Sequence, residues 1–128
     1  MEVKVKMERD VGDVLDRSAI SKLKYERIGN EENIREYKTF NEEIERLKDK
    51  YTNIPINDFY ELLLKINDLI WSLEADLRKG KLDGALSEVG YRAIKIRENN
   101  SLRVKVKNIV NKLTDTGFQD LKRQHLSE

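Results

Sequence analysis

The sequence predicts an all-α protein: an antiparallel helical bundle of about four helices, with a long central hairpin and a short extended N-terminal arm. Three observations point there. Charged residues make up 38% of the 128 residues and aromatics only 7%, whereas an ordinary domain is about 25% charged. So much charge suits long helices, which have a high ratio of surface to core. Apolar residues recur at spacings of three and four along most of the chain, the period of a single helix face. Glycines and the one proline punctuate those stretches. Ile, Leu, Val and Phe supply 37 residues, enough to exceed the level of a disordered chain. The length fits a single domain over 1–128.

Each element has a local reason. Val3, Val5 and Met7 alternate with charged residues, so residues 1–9 read as an extended arm, flexible or packed at an edge. Asp10 can cap a first helix, which Gly29 and Asn30 stop after Ile28. Glu31 and Glu32 suit the positive end of a second helix. There Ile34, Tyr37, Phe40, Ile44, Leu47 and Tyr51 trace one face. Pro55 must break it, and Asn57 or Asp58 then caps a third helix. The third carries the widest apolar stripe, from Phe59 and Leu63 to Leu73 and Leu77, and ends near Gly80.

A fourth pattern runs from Leu82 to about Leu113. Leu86, Val89, Ala93 and Ile96 start its stripe, and Leu102, Val106, Ile109 and Leu113 finish it. Residues 114–128 are either a further turn around Phe118 and Leu121 or a frayed tail. The second and third helices would form the central hairpin.

Several chemistries lack their residues. There is no cysteine, hence no disulfide, thiolate metal site or cysteine nucleophile. His125 is the only histidine and sits near the end of the chain, whereas zinc sites usually take several histidines or cysteines. No metal and no other cofactor is expected. No glycine-rich loop can cradle a phosphate, and no serine has a histidine to activate it. No catalytic residue is assigned, and the sequence leans away from an enzyme. No apolar run approaches a membrane span and the N-terminus lacks a signal core, which implies a cytoplasmic protein without membrane contact.

The net charge is +1, so the whole molecule has no strong field for anionic partners. Residues 91–113 nevertheless carry seven bases against one acid. These bases go most of the way round the helix, so nucleic-acid binding through it is only a third reading.

Polar rows are the more specific feature. Asn100, Arg103, Lys107 and Asn111 share one face of the fourth helix, beside its apolar stripe. Trp71, Glu74 and Arg78 form a similar row on the third, and Asp16 and Lys24 align on the first. One explanation is structural: interhelical salt bridges, such as Arg103 to Glu74 and Lys24 to a neighbouring acid, that fix helix pairing. The other is a cleft in which Arg78, Arg103 and Lys107 face an anion, with Trp71 as a wall and Glu74 and Asn100 beside it. Matching acids on the same helices favour the structural explanation.

Taken in order, these segments resemble an uncharacterised family of short helical bacterial proteins. Gly12-Asp13-Val14-Leu15-Asp16-Arg17, followed by Ile20, Leu23-Lys24 and Glu26-Arg27-Ile28, is similar to its opening motif. Ile70-Trp71-Ser72-Leu73-Glu74 with Leu77-Arg78, and Asn100-Ser101-Leu102-Arg103 with Lys107 and Asn111, look like its later segments. The resemblance covers most of 10–113 and assigns no catalytic residue. The family is often encoded near cell-surface polysaccharide or glycosyltransferase genes. The resemblance therefore implies an accessory or interaction role, touching nucleotide sugars. Ser18 and Ser21 depart from the family pattern, which has apolar residues there.

The leading functional expectation is a non-enzymatic helical module that forms a homo-oligomer or binds a protein partner. The alternative is a protein, or an enzyme of unknown reaction, that takes an anionic small molecule such as a nucleotide sugar or phosphate.

Overall fold

The computed structural model describes residues 10–80 and 84–117. These form four helices: α1 (Val11–Arg27), α2 (Glu31–Lys50), α3 (Ile56–Arg78) and α4 (Leu86–Thr114). The fold is the expected all-α bundle. The N-terminal arm, Leu82, Phe118, Leu121 and His125 lie outside the described residues.

Helix boundaries follow local chemistry. The Asp10 carboxylate accepts from the Asp13 amide at 2.9 Å and opens α1. Gly29, at φ 71°, takes the left-handed conformation that closes it. Asn30 caps α2 by accepting from the Asn33 amide at 2.9 Å. The start of α3 differs from expectation. Pro55 itself occupies the capping position and no side chain caps the helix, so neither Asn57 nor Asp58 does so. Proline can sit at this boundary because the opening amides of a helix have no intrahelical acceptor. Gly80 turns the chain at φ 72° after α3.

The largest fully buried side chains, Leu15, Leu47, Ile56, Leu63 and Val110, come from all four helices. α1 is the hub, with nine of its 17 residues buried, and it packs on each of the other three. Asp13 meets Lys107 and Asp16 meets Arg103, an antiparallel register between α1 and α4. Asp76 to Arg92 and Asn67 to Arg103 set the same sense between α3 and α4. The extensive hairpin is therefore α3–α4. The expected central pair, α2 and α3, meets only sparsely, because α1 lies against the apolar faces of both.

The α4 stripe also differs from expectation. Leu102, Ile109 and Leu113 are about half exposed and Leu86 is 80% exposed, whereas Val106, Val110, Asn111 and Thr114 are buried. The polar row does not stand beside the core on α4; its C-terminal half faces inward. Ser18 and Ser21 are buried without disturbing α1. Their hydroxyls donate to the Val14 and Ser18 carbonyls, both at 2.7 Å, which satisfies them inside the helix.

Candidate functional site

The polar residues of α1 converge with those of α3 and α4 at one node. The Asp16 side chain is only 3% exposed. Its Oδ1 accepts from Asn67 Nδ2 at 2.9 Å, and its Oδ2 lies 3.3 Å from Arg103 Nε and 3.6 Å from Lys107 Nζ. Asn67 also donates to the Leu63 carbonyl at 2.9 Å, a bond that fixes its amide. Arg103 Nη1 reaches Asn100 Oδ1 at 3.2 Å and Asn67 Oδ1 at 3.5 Å. A buried carboxylate thus holds two cations, consistent with the rule that buried charges are paired.

One turn earlier, Asp13 Oδ1 accepts from Lys107 Nζ at 3.2 Å and Asp13 Oδ2 from Arg17 Nε at 2.7 Å. Farther along α4, Asn111 Oδ1 accepts from the Gly12 amide at 2.7 Å and Thr116 Oγ1 accepts from the Val11 amide at 3.1 Å. Together with Asp10, these groups satisfy the three amides of the first turn of α1, which no intrahelical carbonyl can reach. Thr116 is brought there by the left-handed turn at Asp115, φ 56°.

Arg103 stands between two clefts. The larger, about 340 Å³, lies between α1, α2 and α4. α1 contributes Asp13, Asp16, Arg17, Ile20 and Lys24 to its lining, α2 Glu36 and Phe40, and α4 Arg103 and Lys107. The smaller, about 180 Å³, is lined by Trp71, Glu74, Asn100 and Arg103, with Asn67 behind them. Four of the six sequence candidates therefore meet in one cleft, and Lys107 belongs to the neighbouring one. Arg78 is apart: it points outward to Glu74 at 3.5 Å and lines neither cleft. Arg103 pairs with Asp16 rather than Glu74, because the α1–α4 contact brings α1 against the inner face of α4. Lys24 faces Glu36 at 3.9 Å. Trp71 is not a free wall either, since the Arg27 guanidinium lies 5.4 Å from its ring centre and is itself paired with Asp68.

Among the described residues, four of the seven bases in 91–113 find acidic partners: Arg92 with Asp76 and Glu88, Lys95 with Glu98, Arg103 with Asp16, and Lys107 with Asp13. The basic segment is largely neutralised from within the fold. Among the described residues no cluster of three potential ligands could hold a metal, and no helix is long and apolar enough to cross a membrane. Elsewhere, burial pushes the Tyr60 phenol up to about 12, helped by Tyr37, Glu61 and Glu26.

The sequence did not single out Asn67, Phe40 or Glu36 for the site. A signal existed for Asn67: it interrupts the stripe of Leu63, Ile66 and Ile70, where an amide needs a buried partner. Phe40 and Glu36 carried none, because the α1–α2 packing brings them to the cleft. No family model, curated protein or solved structure matches this chain.

Proposed function

We propose that the protein is a non-enzymatic, cytoplasmic helical module that self-associates through the outer face of its α3–α4 hairpin. The observation that carries this reading is a seam of large apolar side chains left in water. On α4, Tyr91, Leu102, Ile109 and Leu113 are between 45% and 56% exposed. Their spacings of 11, 7 and 4 put them on one side of the helix. On α3, Leu62 and Leu69 are 42% and 48% exposed, seven residues apart. Leu69, Leu73, Tyr91 and Leu102 line a groove of about 430 Å³ between the two helices.

A second copy of the chain is the occupant this surface suits. A two-fold interface must be self-complementary. Lys95 and Glu98 lie together in this groove, 3.5 Å apart, so each could meet its opposite on the partner. Meanwhile the cations Arg103 and Lys107 are turned inward to acids of the same chain. The accessory role implied by the sequence resemblance is compatible with such a module.

Sedimentation of the full chain across micromolar concentrations tests the reading. The unaltered protein should be dimeric or larger, and Leu69→Glu with Leu102→Glu should convert it to a monomer of nearly unchanged helicity. A strict monomer throughout, or unaltered assembly in the double variant, would overturn it.

A further inference from the structure

We propose that the larger cleft, between α1, α2 and α4, binds a small oxyanion: a phosphate ester or carboxylate carrying a compact apolar group. Donors outnumber acceptors in this cleft. Both oxygens of Asp13 are occupied, by Lys107 at 3.2 Å and Arg17 at 2.7 Å. Asp16 Oδ1 accepts from Asn67, and Asp16 Oδ2 is paired ionically with Arg103 and Lys107 without a hydrogen bond. Both aspartates are therefore charge-paired from inside the fold.

The cations keep unused donors. Arg17 uses only its Nε toward Asp13, and its two terminal amino groups have no acceptor among the described residues. Arg103 Nε is buried and makes no hydrogen bond, its approach to Asp16 being ionic only. Its Nη1 goes to Asn100 and Asn67, while Nη2 has no acceptor among the described residues. Among the described residues Lys24 is paired only with Glu36, at 3.9 Å, beyond hydrogen-bond reach. Four cations thus line a cleft with three acids; the Glu36 carboxylate also makes no hydrogen bond among the described residues, but the open donors outnumber the open acceptors.

A ligand that brings acceptors and no donors answers this surplus of donors, which is the description of an oxyanion. Arginine and lysine together suit phosphate or carboxylate oxygens. Ile20 and Phe40 line the same cleft and offer an apolar wall to the rest of the ligand. The volume, about 340 Å³, lies at the small end of metabolite sites. The Asp16 pairing holds Arg103 in place beforehand, so little ordering remains for the ligand to pay. This cleft lies on other helix faces than the α3–α4 seam, and the proposal does not rest on self-association.

Thermal unfolding of the full chain tests it, with inorganic phosphate, phenyl phosphate and malonate each compared with chloride at matched ionic strength. Phosphate or malonate should raise Tm by several degrees more than chloride, and phenyl phosphate more than inorganic phosphate. Whether phosphate or malonate acts more strongly distinguishes the two oxyanion classes. The double variant Arg17→Gln with Lys24→Gln removes two exposed donors whose ion pairs add little to stability. Its Tm without added anion should stay within about 2 degrees of the parent's, while the anion's Kd rises about tenfold or more. Equal shifts with chloride, or an undiminished anion shift in the double variant, would overturn the proposal; the latter is what general salt stabilisation produces.

Discussion

Gly12 lies directly against the backbone of Lys107: a Cβ on Gly12 would stand 2.5 Å from the Lys107 carbonyl oxygen and 2.9 Å from its Cα. Both atoms are main chain, so no side chain can rotate away. Gly12→Ala should force α1 and α4 apart, costing about 1–3 kcal/mol, the range for overpacking. Calorimetry should record a Tm several degrees lower, and an unchanged Tm would show that the helices slide freely.

The Asp16 node makes a second prediction. Removing one partner of a buried charge group typically costs about 3–5 kcal/mol. Asp16→Ala should approach that loss in urea unfolding. Arg103→Met should cost less, because Lys107 and Asn67 still reach the carboxylate. The Asp16→Ala/Arg103→Met double variant should be much less destabilised than the sum, since the two act through one network. Simple additivity would mean that the 3.3 Å approach contributes nothing.

The N-terminal turn of α1 depends on residues about a hundred positions away. Thr116→Val and Asn111→Ala each leave a buried amide without its acceptor, at Val11 and Gly12 respectively. A loss of about 1–3 kcal/mol is expected for each. Hydrogen exchange should speed up at amides 11 and 12 before it does at the middle of α1. Uniform acceleration along the helix would contradict a local capping role.

Alkaline pH addresses Tyr60, whose phenol is raised to about 12 from an ordinary 10.0, first by burial. The unfolded chain releases this proton at lower pH than the folded one. The associated stability is therefore fully present below pH 10 and is lost as pH rises from 10 to 12. Tyr60→Phe should unfold with a shallower dependence over that window, measured as Tm against pH beside the unaltered protein. Parallel curves would place the phenol in water.

Much of the fold was legible because it is local. The caps at Asp10 and Asn30, the glycine stops and the break at Pro55 are written in residues a few positions apart, and so were four helices and an all-α bundle. Even the candidate residues Trp71, Glu74, Asn100 and Arg103 could be named from helical spacing, because spacing fixes which residues share a face. Which face turns inward is another matter. Apolar residues lie all round α4, so periodicity took Leu102, Val106, Ile109 and Leu113 for the inner stripe, although of these only Val106 is buried. Tertiary packing made that choice: Gly12 lets α1 approach the backbone of Lys107, and Asp13, Asp16 and the first amides of α1 supply charge and donors that only the polar row can match. The partner of Arg103, the outward setting of Arg78 and the cleft beside Phe40 all follow from that contact between distant segments, which no local pattern encodes.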